Sequence, residues 1–149
     1  AQEKAINDKI AQLKDEVETV SSIEDINKNV AELSGLSKEL GNEDARVHTI
    51  NTVIGLYNEV CKSMMVEVVE NRPSHMAVRI VYKDRLITTS QKPVVKSDCA
   101  MSFDVKYVNG ICNVNFDSSY CYPQDEPVIK ITFKAGNSKI SKDIRIMFK

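Results

Sequence analysis

Four cysteines, two histidines and one acidic pair are the side chains through which this 149-residue chain could do chemistry. Cys61, Cys99, Cys112 and Cys121 form no C-x-x-C and lack the spacing of zinc ligands. Cys61 sits in a helical pattern and Cys112 in a strand pattern, where a free thiol packs as a small hydrophobe. The chain therefore reads as reduced and intracellular, nuclear or cytoplasmic, with Cys112–Cys121 the pairing expected if a bridge forms. His48 and His75 fall in different halves, and neither adjoins a nucleophile or ligand group. The five glycines are isolated, so no phosphate-cradling loop is present. Asp125-Glu126 lies in a proline-containing loop and fits a solvated turn better than an acid–base pair. No catalytic, cofactor-binding or metal-ligating residue is expected, and the chain reads as a non-enzyme.

Charge offers more. Lys130, Lys134, Lys139, Lys142, Arg145 and Lys149 cluster near the C-terminal end of the sequence, with Asp143 the one opposing charge. Such a patch can meet an acidic protein or nucleic-acid phosphates. Aromatic residues interleaved for base stacking are absent from it, so an acidic protein is the favoured partner. Lysines on edge strands also serve as ordinary protection against sheet-to-sheet aggregation.

The elements that carry these residues differ between the two halves. Residues 1–70 hold 14 acidic and 7 basic side chains, whereas residues 71–149 hold 7 acidic and 13 basic. All four prolines lie in the second half. An apolar fraction of 42% with 28% charge excludes wholesale disorder. No apolar run approaches the roughly 18–20 residues of a membrane span, and the opening residues are charged and periodic rather than signal-like. A soluble protein without membrane contact is expected.

In the first half, Ile6, Ile10, Leu13, Val17 and Val20 recur at the alternating four- and three-residue spacing of a coiled-coil seam. Leu33, Leu36, Leu40, Val47, Ile50 and Ile54 continue the rhythm, followed by Tyr57, Cys61 and Met64. Read as one mostly continuous helix, residues 6–64 would extend about 87 Å at roughly 1.5 Å per residue. Ser21-Ser22-Ile23-Glu24 resembles a capping box, and Leu40-Gly41-Asn42-Glu43 a helix end followed by an N-cap, so a bundle of two or three helices is the alternative. An a/d stripe cannot be buried by one helix alone in water. The continuous reading therefore implies a dimer, with itself or a related coiled-coil chain.

In the second half, Asn109-Gly110 between alternating runs is a type I′ hairpin signal. It sets Tyr107 opposite Cys112, Val105 opposite Val114 and Phe103 opposite Phe116 on one face. Lys106–Asn113 and Asp104–Asn115 fall on the other. Further strands are expected around Val66–Val68, Met76–Tyr82, Leu86–Thr89, Ile129–Phe133 and Ile140–Phe148, with turns at Asn71–Ser74 and Gly136-Asn137. The expected fold class is α+β: a coiled-coil stem over 1–64, then an antiparallel meander or small sandwich head over 65–149, packed on the last helix (43–64).

Tyr122-Pro123-Gln124-Asp125-Glu126-Pro127 is Y-P-x-x-x-P, placed between a β-meander and a further strand. With a helix ahead of the first strand, this order over residues 43 to 133 resembles the RWD fold. Kinetochore and spindle-checkpoint proteins carry RWD-type heads on dimeric coiled coils. The resemblance implies a non-catalytic adaptor that dimerises through its stem and docks a protein through its head. Two other readings are an extracellular or viral stalk-and-head protein with a β-sandwich that binds a receptor or ligand, and a nucleic-acid module using the C-terminal lysines.

Overall fold

The computed structural model describes residues 2–149, with Gln2 described by its backbone alone. The class is α+β: three helices precede eight antiparallel strands. Helix α1 spans Gln2–Asp15 and runs into a 3-10 turn at Glu16–Glu18; α2 spans Ile23–Leu40 and α3 spans Arg46–Lys62. The continuous rod is thus broken twice, at the places where capping chemistry competes with the heptad rhythm. Ser22, one residue later than the expected box, accepts a hydrogen bond from the Asp25 backbone amide at 3.1 Å and starts α2. Gly41, at φ 81°, ends it. The Asp44 carboxylate then accepts from the Arg46 amide at 2.9 Å and pairs with its guanidinium at 2.7 Å, starting α3.

The apolar stripe is buried within the chain itself. Ile10, Leu13, Val17, Val20, Leu33 and Ile50 are buried, and Ile6, Leu36, Leu40, Val47 and Ile54 are half-buried. The three helices shield one another because each break lets the chain fold back, so the chain itself buries much of the stripe. A polar tie fixes the arrangement. Asn29, the one buried polar side chain among the described residues, donates to Glu16 at 2.9 Å and to the Tyr57 hydroxyl at 3.1 Å. Tyr57, fully buried, donates in turn to the Leu13 carbonyl. One network thereby joins α1 and its 3-10 turn, α2 and α3.

Strands β1 (Met65–Arg72), β2 (His75–Tyr82), β3 (Arg85–Ile87), β5 (Met101–Val108) and β6 (Ile111–Asp117) form one sheet in the order β1-β2-β6-β5. The short β3 pairs with the C-terminal end of β2, beyond the segment that pairs with β6. Strands β4 (Val94–Ser97), β7 (Val128–Ala135) and β8 (Ser138–Arg145) form a second sheet in the order β4-β7-β8. Met76, Val78, Cys112 and Val114 of the first sheet share one apolar core with Ile129, Ile131 and Phe133 of the second and with the buried faces of the helices. The Asn71 side chain donates to the Arg145 carbonyl at 3.0 Å, linking an end of β1 to β8. At the other extremity, the extended link before α2 is stitched to Thr88, just past β3: the Thr88 amide donates to the Ser21 carbonyl and the Ile23 amide to the Thr88 carbonyl.

The Asn109-Gly110 hairpin has the expected register, with Tyr107 opposite Cys112 and Val105 opposite Val114. Both turn residues take positive φ, 52° and 79°, the conformation a type I′ turn requires. The expected Phe103–Phe116 pair is offset by a bulge in which Ser102 takes φ 59°. Alternation with Val105 and Tyr107 keeps Phe103 on the apolar side, its ring centroid 6.5 Å from that of Phe116. Two expectations need correction. The last strand ends at Arg145, and Ile146 instead donates its amide to the Pro127 carbonyl while its side chain is buried. The Cys112–Cys121 pairing does not form: Cys112 points into the core and stays free, whereas Cys99 and Cys121 are bridged, their Cα atoms 5.2 Å apart. Inward alternation commits Cys112 to packing, while Cys99 and Cys121 lie in the connections just beyond β4 and β6. No helix among the described residues is long and apolar enough to cross a membrane.

Candidate functional site

Alternation along β7 sends Ile129, Ile131, Phe133 and Ala135 inward, which forces Lys130, Thr132 and Lys134 outward. Register then decides what stands beside them. Lys130 lies opposite Lys96 of β4 and Asp143 of β8; Thr132 lies opposite Val94 and Ser141; Lys134 lies opposite Lys139. Just before β4, the Gln91 side chain takes the place of a backbone neighbour. Its amide group donates to the Lys134 carbonyl at 2.9 Å and its oxygen accepts from the Lys134 amide at 2.6 Å. This holds the adjoining Lys92 at the same rim. Five lysines, at 92, 96, 130, 134 and 139, thus line one sheet face against a single carboxylate, Asp143.

These lysines bound a shallow cleft of about 380 Å³. Its floor is Thr132 and Ser141, whose hydroxyls hydrogen-bond each other at 2.8 Å, and its side includes the exposed Val94. Among the described residues, none of the five lysines forms an ion pair with an acidic side chain. Like charges directly opposite each other across a strand pair destabilise a sheet. Lys96–Lys130 and Lys134–Lys139 are two such pairs side by side on β7. The arrangement accumulates positive charge where sheet stability favours alternation of sign.

Of the six basic residues read from sequence, the structure brings Lys130, Lys134 and Lys139 together. Lys142 lies opposite the inward-pointing Ile131 and so takes the other side of β8, exposed. Arg145 pairs with Glu126 at 3.4 Å, and Lys149 lies beyond the strand. Lys92 and Lys96 escape sequence reading because β4 is only four residues long and carries no marked alternation.

Neither histidine and neither free thiol borders this cleft. His75 Nε2 lies 2.9 Å from the Asn113 side-chain oxygen, and His48 is exposed. Burial pushes the Cys112 thiol up to about 11 and raises that of Cys61. Burial likewise raises the Tyr107 hydroxyl, which donates to the Gln91 carbonyl. No group of three or more His, Cys, Asp or Glu among the described residues is placed to hold a metal ion. The segment Tyr122–Pro127 forms a single 3-10 turn at Pro123–Asp125, and β7 leads directly into β8. No family model, curated protein or solved structure matches the chain.

Proposed function

We propose that this chain is a non-catalytic binding module whose lysine-lined face on β4, β7 and β8 docks an acidic partner. The observation that carries the reading is the register of β7 against its two neighbours, which sets Lys130 beside Lys96 and Lys134 beside Lys139 with Asp143 the one carboxylate among them. A polyanionic partner converts the mutual repulsion of these lysines into affinity and steers association. The helical layer is a structural component in this reading, since its apolar seam is closed within the chain. Dimerisation through that seam is not required.

Two settings were expected for such a module, an intracellular adaptor and an extracellular or viral head. The Cys99–Cys121 bridge favours the second, because disulfides persist in oxidising compartments. A charge-reversal variant, Lys130→Glu with Lys134→Glu, tests the docking reading. Retention of partner by wild-type protein at low salt and its loss in the variant is the expected outcome. Equal retention by both proteins would refute it.

A further inference from the structure

We infer that the acidic partner of this face is a sulfated polysaccharide; this rests on the docking reading above and names its ligand class. Three observations converge. First, the cations that line the cleft are all lysines, whereas Arg145, on the same outward side of β8 opposite Val128, lies outside the cleft and pairs with Glu126 at 3.4 Å. Carboxylates on an acidic protein are matched by the bidentate arginine fork, whereas lysine is a compact point charge that attracts an anion without fixing its orientation. A flexible chain bearing many sulfates suits the second kind of site.

Second, the cleft between the lysines is floored by hydroxyls and one aliphatic side chain. Thr132 and Ser141 each offer donor and acceptor capacity to sugar hydroxyls. The paired lysines Lys96–Lys130 and Lys134–Lys139 stand four residues apart along β7, about 13 Å at roughly 3.3 Å per residue. Charged ends therefore flank a neutral, hydroxyl-bearing middle, as a backbone of sugar rings with spaced anionic substituents requires. Nucleic acid fits less well. The outward positions of the three strands carry no aromatic side chain on which a base could stack.

Third, the Cys99–Cys121 bridge follows directly after β4 and places the face in a chain suited to oxidising surroundings, where sulfated polysaccharides occur.

The test is isothermal titration of the oxidised full chain with a heparin octasaccharide. Its fully desulfated counterpart, a polyglutamate peptide and a short DNA duplex are titrated in parallel. The heparin fragment is expected to bind most tightly, with affinity falling as salt is raised. Desulfation, and separately the double substitution Lys130→Ser and Lys134→Ser, should each weaken binding by at least about tenfold, equivalent to about 1.4 kcal/mol. Lys28→Ser with Lys38→Ser, exposed lysines of the helical layer, should leave it unchanged. Tighter binding of polyglutamate or DNA, again lost in the double variant, would overturn the sulfated ligand while keeping the docking face. Failure of all four probes to bind, or binding indifferent to the double variant, would overturn both. Circular dichroism of each variant confirms that the fold is retained.

Discussion

The helical layer and the three-stranded sheet resolve the same problem in opposite ways. In the helices, a stripe that looks unpartnered along the sequence finds its partners three-dimensionally. Leu13, Ile23, Ile26, Leu33 and Ile50 are all fully buried, and the Asn29–Tyr57–Glu16 network fixes their alignment. In the sheet, register gathers lysines of β4, β7 and β8 onto one face with a single carboxylate, Asp143, among them. One region internalises its sticky surface; the other exposes a repulsive one. Burial of an apolar stripe is therefore poor grounds for inferring an external partner, whereas accumulation of like charge at the expense of sheet stability is better grounds.

The comparison can be broken most sharply in the helices. Leu33→Ala should cost about 2–5 kcal/mol in urea unfolding, the range for a buried leucine truncation. Its sedimentation mass should match that of the wild type. A large loss of self-association instead of stability would return the seam to an intermolecular role.

Removing the bridge by Cys99→Ser with Cys121→Ser opens a loop of sequence separation 22 and should lower stability by about 3 kcal/mol. Non-reducing peptide mapping should find Cys99 linked to Cys121, with Cys61 and Cys112 alkylated only after unfolding. A Cys112–Cys121 peptide would contradict the inward placement of Cys112.

Tyr57→Phe deletes the hydroxyl at the centre of the helical network. It leaves the Leu13 carbonyl without this donor and the Asn29 amide without this acceptor. A loss of about 1–3 kcal/mol is expected from equilibrium unfolding. An unchanged midpoint would show that water replaces the hydroxyl and that packing alone aligns the helices.

The sheet should respond in the opposite direction. Lys139→Glu places an acid opposite Lys134 and should stabilise the fold by about 0.2–1 kcal/mol, an increment that shrinks with added salt. The same variant should bind a polyanion less well. Stability and binding improving together would remove the argument from like-charge pairing.

The smallest effect concerns acid. The Arg46 side chain and amide hydrogen-bond to Asp44 and hold its carboxyl down to about 2. Because the folded value is lowered, its contribution is fully present above the ordinary carboxylate range and is lost as pH falls from about 4 toward 2. Asp44→Asn should flatten that part of the melting-temperature profile; an unchanged slope would show that the Asp44–Arg46 pair contributes nothing there.

How much of this was legible follows from the range of the interactions. The Asn109-Gly110 hairpin could be read with its register because two adjacent residues dictate the turn and strict alternation dictates the faces. The helical residues were legible as apolar positions, but not their closure, since heptad spacing is the same whether the neighbouring helix belongs to this chain or another. Ser22 and Gly41 carried the deciding information, in two residues against a long rhythm. Three of the five lysines of the face, Lys130, Lys134 and Lys139, were legible from β7 and β8. Lys92 and Lys96 were not, because β4 reaches β7 across more than thirty residues and is positioned partly by the Gln91 side chain.

The stitch between Ser21–Ile23 and Thr88 bears on how the molecule comes together in time. Helices α2 and α3 are joined by a short turn and can pair quickly, whereas the Tyr57–Leu13 tie, 44 residues apart, and the β4–β7 pairing each close a long loop. Thr88 is held at β3, which closes onto β2 through a short turn, so the helices have a seat as soon as that local hairpin exists. The distant lysine-bearing sheet can then close last, against a surface already in place.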